Sequence, residues 1–141
     1  MPMQNPSSAF SQEWTTLQNN YEQHERSALL LKLAAVVLCV CGYVLAIPDQ
    51  LSGGIALLLW VQESIYRTYQ ARLGERILRV EAMLQRGAPA SNACQLHTEW
   101  LATRKGGLAL VAEYAAHALR PTVAFPYALL VLAELVSYVG T

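Results

Sequence analysis

Three apolar runs interrupt an otherwise polar sequence. Residues 28–47 carry a single charge, Lys32, and about 20 apolar residues are what a helix needs to cross a hydrocarbon core of about 30 Å. A second run extends over 51–68, and a third covers 122–139. The pattern therefore predicts an all-α integral membrane protein with three transmembrane helices.

The helical pattern continues beyond the membrane. Only residues 48–50 separate the first two runs, so their helices are expected to form an antiparallel hairpin. Apolar residues then recur at steps of three and four through 69–86, before Gly87 and Pro89 end the pattern. The polar N-terminal segment, 1–27, carries a matching heptad seam. We therefore predict a cytosolic helical stalk. Its predicted contact residues are Phe10, Trp14, Leu17, Tyr21, Tyr69, Leu73, Ile77, Val80 and Leu84.

The short turn also predicts how the two helices of the hairpin pack. Residues whose numbers add to about 99 should lie level if both helices are continuous, so Trp14 and Leu17 should meet Met83 and Leu84. Inside the membrane, a stripe of small residues predicts a close approach of the helix backbones. The stripe consists of Ala35, Cys39, Gly42 and Ala46.

These patterns divide the chain into membrane and water-exposed segments. The predicted segments are a cytosolic N-terminal helix (1–27), the first span (28–47), an external turn (48–50), the second span (51–68), a cytosolic extension (69–86), a cytosolic or interfacial helical region (87–121), the third span (122–139) and an external tail (140–141). Residues 108–119 are too short to span a bilayer alone, and the sequence leaves open whether they are cytosolic or re-entrant.

The distribution of basic residues predicts the orientation. All ten lie on one side of the three-span arrangement or just inside its edge: Arg26, Lys32, Arg67, Arg72, Arg76, Arg79, Arg86, Arg104, Lys105 and Arg120. By the positive-inside rule the N-terminus is cytoplasmic and the C-terminus lies outside. Arg exceeds Lys by eight to two and Ala and Leu are abundant, which is typical of a GC-rich bacterial genome. We therefore expect a bacterial inner-membrane protein with a periplasmic C-terminus.

Three ionisable residues lie within the predicted spans: Lys32, Glu63 and Glu134. Such residues are costly in a bilayer, by roughly 2.5–3.5 kcal/mol on insertion scales. Lys32 and Glu63 have matching depths, so they can form an ion pair or reach the inner interface independently. Glu134 lies in the outer half of the third span, with no basic residue at its depth. It is a protonatable or cation-attracting group in a cavity, or a glutamate that is simply protonated or faces another subunit or the outer interface.

The remaining residues favour neither a cofactor site nor an enzyme. Cys94, His97, Glu113 and His117 could in principle hold zinc, but such spacings are common by chance and we expect no metal. The stalk arginines from Arg72 to Arg86 form a basic stripe. We interpret it as a solvated face tied by Arg72–Glu75 and Glu75–Arg79 pairs, with anionic lipid or an acidic partner as the alternative. No nucleophile elbow, phosphate loop or H-E-x-x-H motif is present.

The sequence indicates a protein that works by association. Ten basic and ten acidic residues cancel, so no positive field points to nucleic acid. We expect an accessory, assembly or regulatory subunit that binds another membrane protein or a second copy of itself. The alternatives are a homo-oligomeric pore or transporter, whose best support is Glu134 with Glu63, and a toxin-immunity type of membrane protein.

Overall fold

The computed structural model describes residues 6–103 and 106–140, and within these ranges the chain contains five α-helices and no strand. The expected all-helical fold is confirmed. The helices are α1 (Pro6–Val44), α2 (Asp49–Gln85), α3 (Leu96–Thr103), α4 (Gly107–Ala118) and α5 (Pro121–Gly140), with a short 3₁₀ helix at Ala90–Asn92. Residues 1–5 and 141 of the predicted termini, and Arg104 and Lys105 of the charge pattern, lie outside the described residues.

Two of these helices, α1 and α5, are long and apolar enough to cross a membrane by length and composition. The helix of the second predicted span, α2, contains Gln62 and Glu63 near the middle of its length, and these lower its average hydropathy. Two of the three expected spans therefore have the composition of a membrane helix, which suits membrane association.

The first two helices form the hairpin, but α1 ends three residues before the predicted boundary at 47. Ile47 N donates to Gly42 O at 2.9 Å, and Ala46 N donates to Tyr43 O at 3.3 Å. This pair of bonds is a Schellman cap, whose C′ residue adopts a left-handed conformation. Ala46 occupies that position with a φ of 52°. Its predicted place in the small-residue stripe is wrong, because it lies in the turn and is exposed.

The earlier end of α1 also shifts the register of the hairpin. Several contacting pairs have residue numbers that add to 94 or 95, as in Trp14 with Glu81 and Gly42 with Ser52, and the long side chain of Arg76 reaches Glu13 at the lower sum of 89. The predicted value of about 99 is wrong by roughly one helical turn. The reason is that the turn is centred between Val44 and Asp49, several residues before the centre assumed from the apolar runs.

The stalk has its own apolar core, which contains most of the predicted contact residues. Phe10, Leu17, Ile77 and Val80 are buried in it, and the partly buried residues packed around them are Trp14, Tyr21, Leu73, Met83, Ala88, Ala93 and Leu96. Tyr69 and Leu84 are exposed and lie outside this cluster. These two predicted contacts are wrong, because the segment after α2 adds Ala88, Ala93 and Leu96 to the core and the register differs from the expected one.

The C-terminal part of the chain returns along the hairpin. The start of α5 lies level with the inner part of the hairpin, where Lys32 Nζ donates to Thr122 O at 2.7 Å. Further along α5, Glu134 packs beside Gly53 near the start of α2. Thus α5 is antiparallel to α2, and its C-terminal end lies near the turn between α1 and α2. The preceding helix, α4, packs along α2, where Glu113 Oε2 lies 3.8 Å from Arg72 Nη2.

Candidate functional site

A buried carboxylate on α2 joins the three longest helices. Glu63 is fully buried, and its Oε1 lies 3.1 Å from Lys32 Nζ on α1 and 3.6 Å from Arg67 Nε one turn along α2. The ion pair that the sequence allowed between Lys32 and Glu63 therefore forms. Because Lys32 also donates to Thr122 O, one ammonium group ties α1 to both α2 and α5.

Tyr127 on α5 lies beside this carboxylate and stacks on Trp60 of α2. Tyr127 is fully buried, and its ring stacks on Trp60 with centroids 6.2 Å apart and planes 4° apart. The indole of Trp60 donates from Nε1 to Ala118 O at 3.0 Å. The Tyr127 hydroxyl lies in the electrostatic field of Glu63, whose carboxylate is paired with Lys32 and Arg67. The cluster is thus held by charge and stacking.

Sequence reasoning found Lys32 and Glu63 but not Arg67 or Tyr127 as members of this cluster. Arg67 carried a usable signal, since it follows Glu63 by four residues and such pairs share a helix face. Tyr127 carried no signal, because the face that α5 presents to α2 depends on how α5 packs.

A second polar cluster lies in the stalk around Arg76, which is 1% exposed. Its guanidinium donates to Glu13 on α1 at 2.8 Å, to Glu99 on α3 at 2.6 Å and to Asn92 O at 3.1 Å. The other oxygen of Glu13 accepts from Cys94 N at 2.8 Å. The interpretation of this residue as part of a solvated stripe is wrong, because the 90–103 segment folds over it.

The electrostatic balance keeps Arg76 charged. Burial by itself would lower the pKa of the guanidinium, but the hydrogen bonds and negative charges of Glu13 and Glu99 outweigh burial and raise the pKa. A permanently charged group therefore links α1, α2 and α3, with two carboxylates to balance it.

The neighbouring arginines are partly as expected. Arg79 lies 3.6 Å from Glu75, as predicted, and also bonds Glu99 at 2.7 Å. The predicted pair of Arg72 with Glu75 is wrong, because Arg72 pairs with Glu113 instead. Its guanidinium lies 5.5 Å and 5.9 Å from the ring centroids of Tyr69 and Trp100. This cation–π arrangement lines a groove of about 450 Å³. The groove is lined by Asn20, His24, Tyr69, Arg72, Leu73, Leu96, His97 and Trp100.

Glu134 lies between α5 and the hairpin, far from the Glu63 cluster along the helices. It borders two apolar crevices of about 320 Å³ each, one toward α2 beside Gly53 and Leu57, the other toward α1 beside Cys39 and Val40. The helices are in ordinary van der Waals contact there, since a Cβ on Gly53 would lie 3.7 Å from the Glu134 Cβ. The carboxylate thus sits at the junction of all three long helices.

Three of the four residues of the predicted small-residue stripe on α1 are buried, and Gly42 packs against α2 while Cys39 lies beside α5. Ala35 and Cys39 are buried. A Cβ on Gly42 would come within 3.3 Å of Ser52 Cβ, so the two backbones approach closely there, as small residues permit.

The four residues considered for zinc are distributed over different contacts. The backbone of Cys94 bonds Glu13, the His97 ring packs on Trp100 at 6.1 Å, and Glu113 pairs with Arg72. Over residues 6–103 and 106–140, no group of three or more His, Cys, Asp or Glu side chains is arranged to hold a metal ion.

Comparisons of the chain with protein-family models, with curated proteins and with solved structures found no match.

Proposed function

We propose that this chain is a small bacterial inner-membrane protein with three spans, which acts as an accessory, assembly or regulatory subunit through helix–helix association. The placement of exposed apolar side chains supports the spans. Large apolar residues face outward along α1 from Leu29 to Val44, along α2 from Leu51 to Val61, and along α5 from Phe125 to Val139. Lipid would cover these faces, and this includes the second span, which α2 would supply.

The charge pattern supports a cytoplasmic stalk. The clusters around Glu63 and Arg76 lie on the side of the molecule that contains the basic residues, and the turn between α1 and α2 contains none. The positive-inside rule then places the stalk, α3 and α4 in the cytoplasm and the end of α5 in the periplasm.

One observation carries the proposed association: an apolar stripe along α4 and its C-cap residue, Leu119, that residues 6–103 and 106–140 leave uncovered. Leu108, Val111 and Leu119 are 89%, 62% and 72% exposed. Their spacing places them on one face of the helix, and α4 lies outside the proposed spans. Exposed apolar patches beyond the bilayer are typical of protein–protein contacts, so this stripe, with the apolar crevices beside Glu134, is the proposed partner surface.

Site-specific photo-crosslinking in cells tests this surface. A photoreactive residue at Leu108 should yield a protein adduct of defined mass, either a second copy of the chain or another membrane protein. The same residue at Gln12, an exposed polar position on α1, is the matched control and should yield none. No protein adduct at Leu108, or equal adducts at both positions, would contradict the proposal.

A homo-oligomeric pore or transporter is the second candidate, and it rests on Glu134. Three spans cannot enclose a path, so several copies would have to arrange this carboxylate and its two crevices around a channel. Ion flux into vesicles containing the purified protein tests this candidate. Flux that Glu134→Gln abolishes would favour the pore, whereas absence of flux from the unaltered protein would remove it.

A further inference from the structure

A polar crevice opens where the apolar parts of α1, α2 and α5 begin. It has a volume of about 260 Å³, and most of its lining comes from polar side chains and backbone near the joint between α4 and α5. The lining residues are Tyr21, Glu25, Arg67, Gln70, Ala71, Arg120, Thr122 and Val123. It is separate from the partner surface on α4 and from the crevices at Glu134.

The guanidinium groups of Arg67 and Arg120 both line this crevice. Arg67 donates from Nη1 to Gln70 Oε1 at 2.7 Å, and its Nε is 3.6 Å from Glu63. Those contacts fix the head group but engage only part of its five donors. Arg120 makes no side-chain ion pair within the described chain, and Glu25, the acidic residue of the lining, makes none either.

The local charge favours an anion. Two arginines repel each other in one crevice unless an anion lies between them, and Lys32 adds a third cation beside Thr122. Among the described lining residues and their ion pairs, the acidic groups beside Arg67, Arg120 and Lys32 are Glu63 and Glu25. Guanidinium forks match the oxygens of a phosphate and bind them through charge-assisted hydrogen bonds.

The position of the crevice identifies the source of the phosphate. Arg67 and Thr122 mark the inner ends of the second and third proposed spans, which is the depth of lipid headgroups in the cytoplasmic leaflet. A volume of about 260 Å³ is below the 300–1,000 Å³ of pockets for drug-sized ligands and suits a single headgroup whose acyl chains extend along α1 and α5.

We propose that this crevice binds the phosphate headgroup of an anionic phospholipid of the cytoplasmic leaflet, with Arg67 and Arg120 as the phosphate ligands. The inference rests on the membrane placement proposed above but is independent of any protein partner. Anionic lipid bound here would hold the α4–α5 joint against α1 and α2.

Native mass spectrometry of the detergent-solubilised full-length chain tests the proposal with phosphatidylglycerol as the probe. Arg120→Gln should weaken binding of one phosphatidylglycerol about fivefold, because one charge-assisted contact is lost. Arg86→Gln, the same change of charge at the exposed end of α2, is the matched control and should leave binding unchanged. Equal weakening by both variants would show that only net charge matters and would overturn the proposal.

A second pair of variants acts in the opposite direction, so that poor folding cannot imitate the result. Glu25→Gln removes the acidic group of the lining and should strengthen phosphatidylglycerol binding about twofold, whereas Glu22→Gln, an exposed residue nearby on α1, should not. An unchanged affinity for Glu25→Gln would contradict the site.

Two further probes distinguish the source of the phosphate. Phosphatidylcholine, which carries a phosphate but no net charge, should bind the chain more weakly than phosphatidylglycerol, because its ammonium group is repelled by the two arginines; equal binding of both lipids would contradict a site for an anionic headgroup. Inorganic phosphate that displaced phosphatidylglycerol at low concentration would assign the crevice to a free anion and overturn the lipid proposal. These measurements need neither a protein partner nor ion flux. The lipid proposal can therefore fail while the proposed association stands, and the proposed association can fail while the lipid proposal stands.

Discussion

At the scale of single residues, the molecule contains two clusters of charged side chains around the buried residues Glu63 and Arg76. Each cluster links helices that are far apart in sequence, through Glu63 at the inner end of the spans and through Arg76 in the stalk. A buried ion pair is a weak source of net stability, because desolvation offsets the attraction, but removing one partner is costly. Both clusters therefore fix which helices pack together more than they add to stability.

Replacing Arg76 by Gln should destabilise the stalk by about 3–5 kcal/mol, because Glu13 would remain buried without a cation, while Glu99 would keep only its pair with Arg79. The measurement is the free energy of unfolding in detergent micelles. Arg86→Gln, at an exposed position, should change that energy by less than about 0.5 kcal/mol. If the two variants had equal effects, the Arg76 cluster would not be the link between α1, α2 and α3.

The pair of Lys32 and Glu63 should show an energetic coupling between α1 and α2. A double-mutant cycle with Lys32→Met and Glu63→Leu should give an interaction energy of about 1–3 kcal/mol, since the residues are in direct contact. Unfolding of the single and double variants provides the four values. Strict additivity would mean that each side chain reaches the interface on its own.

At the scale of elements, periodicity predicted which helices exist but not how they end or which faces they bury. The steps of three and four in 69–86 correctly predicted the extension of α2, and Gly87, with a φ of 62°, ends it as expected. The end of α1 was not predictable from hydropathy, because Ala46 takes the left-handed position that glycine usually occupies.

The candidate sites were predictable from the sequence only where a contact depends on the position of residues along the predicted helices. The depths of Lys32 and Glu63 could be compared along two helices joined by a short turn, and the pair forms. The burial of Arg76 could not be foreseen, because it depends on the 90–103 segment, whose path over the stalk is set by Glu99 and Asn92 rather than by any period.

The two helix ends allow a matched test of this explanation. Ala46→Gly should stabilise the protein by about 0.5–1 kcal/mol, because glycine adopts the left-handed conformation without a Cβ penalty. Gly87→Ala should destabilise it by about 1 kcal/mol for the same reason. Both values come from equilibrium unfolding in one detergent. Destabilisation by Ala46→Gly would contradict the Schellman cap at the end of α1.

At the scale of the whole molecule, the proposed arrangement is a membrane-anchored bundle with a cytoplasmic stalk. The hairpin of α1 and α2 is continuous through both parts, and α4 and α5 return along it. The central claim is that α1, α2 and α5 all cross the bilayer, an odd number of spans that must place the two ends of the chain on opposite sides. An arrangement in which only α1 and α5 crossed would place both ends on the same side.

Labelling of single cysteines with a membrane-impermeant maleimide tests that claim most directly. The background variant replaces Cys39, Cys41 and Cys94 by Ala, and one cysteine is then placed either at Gln12 on α1 or at Gly140 at the end of α5, both exposed positions. In intact cells, the cysteine at 140 should react and the one at 12 should react only after lysis. Equal reactivity of the two positions in intact cells would contradict the three-span arrangement.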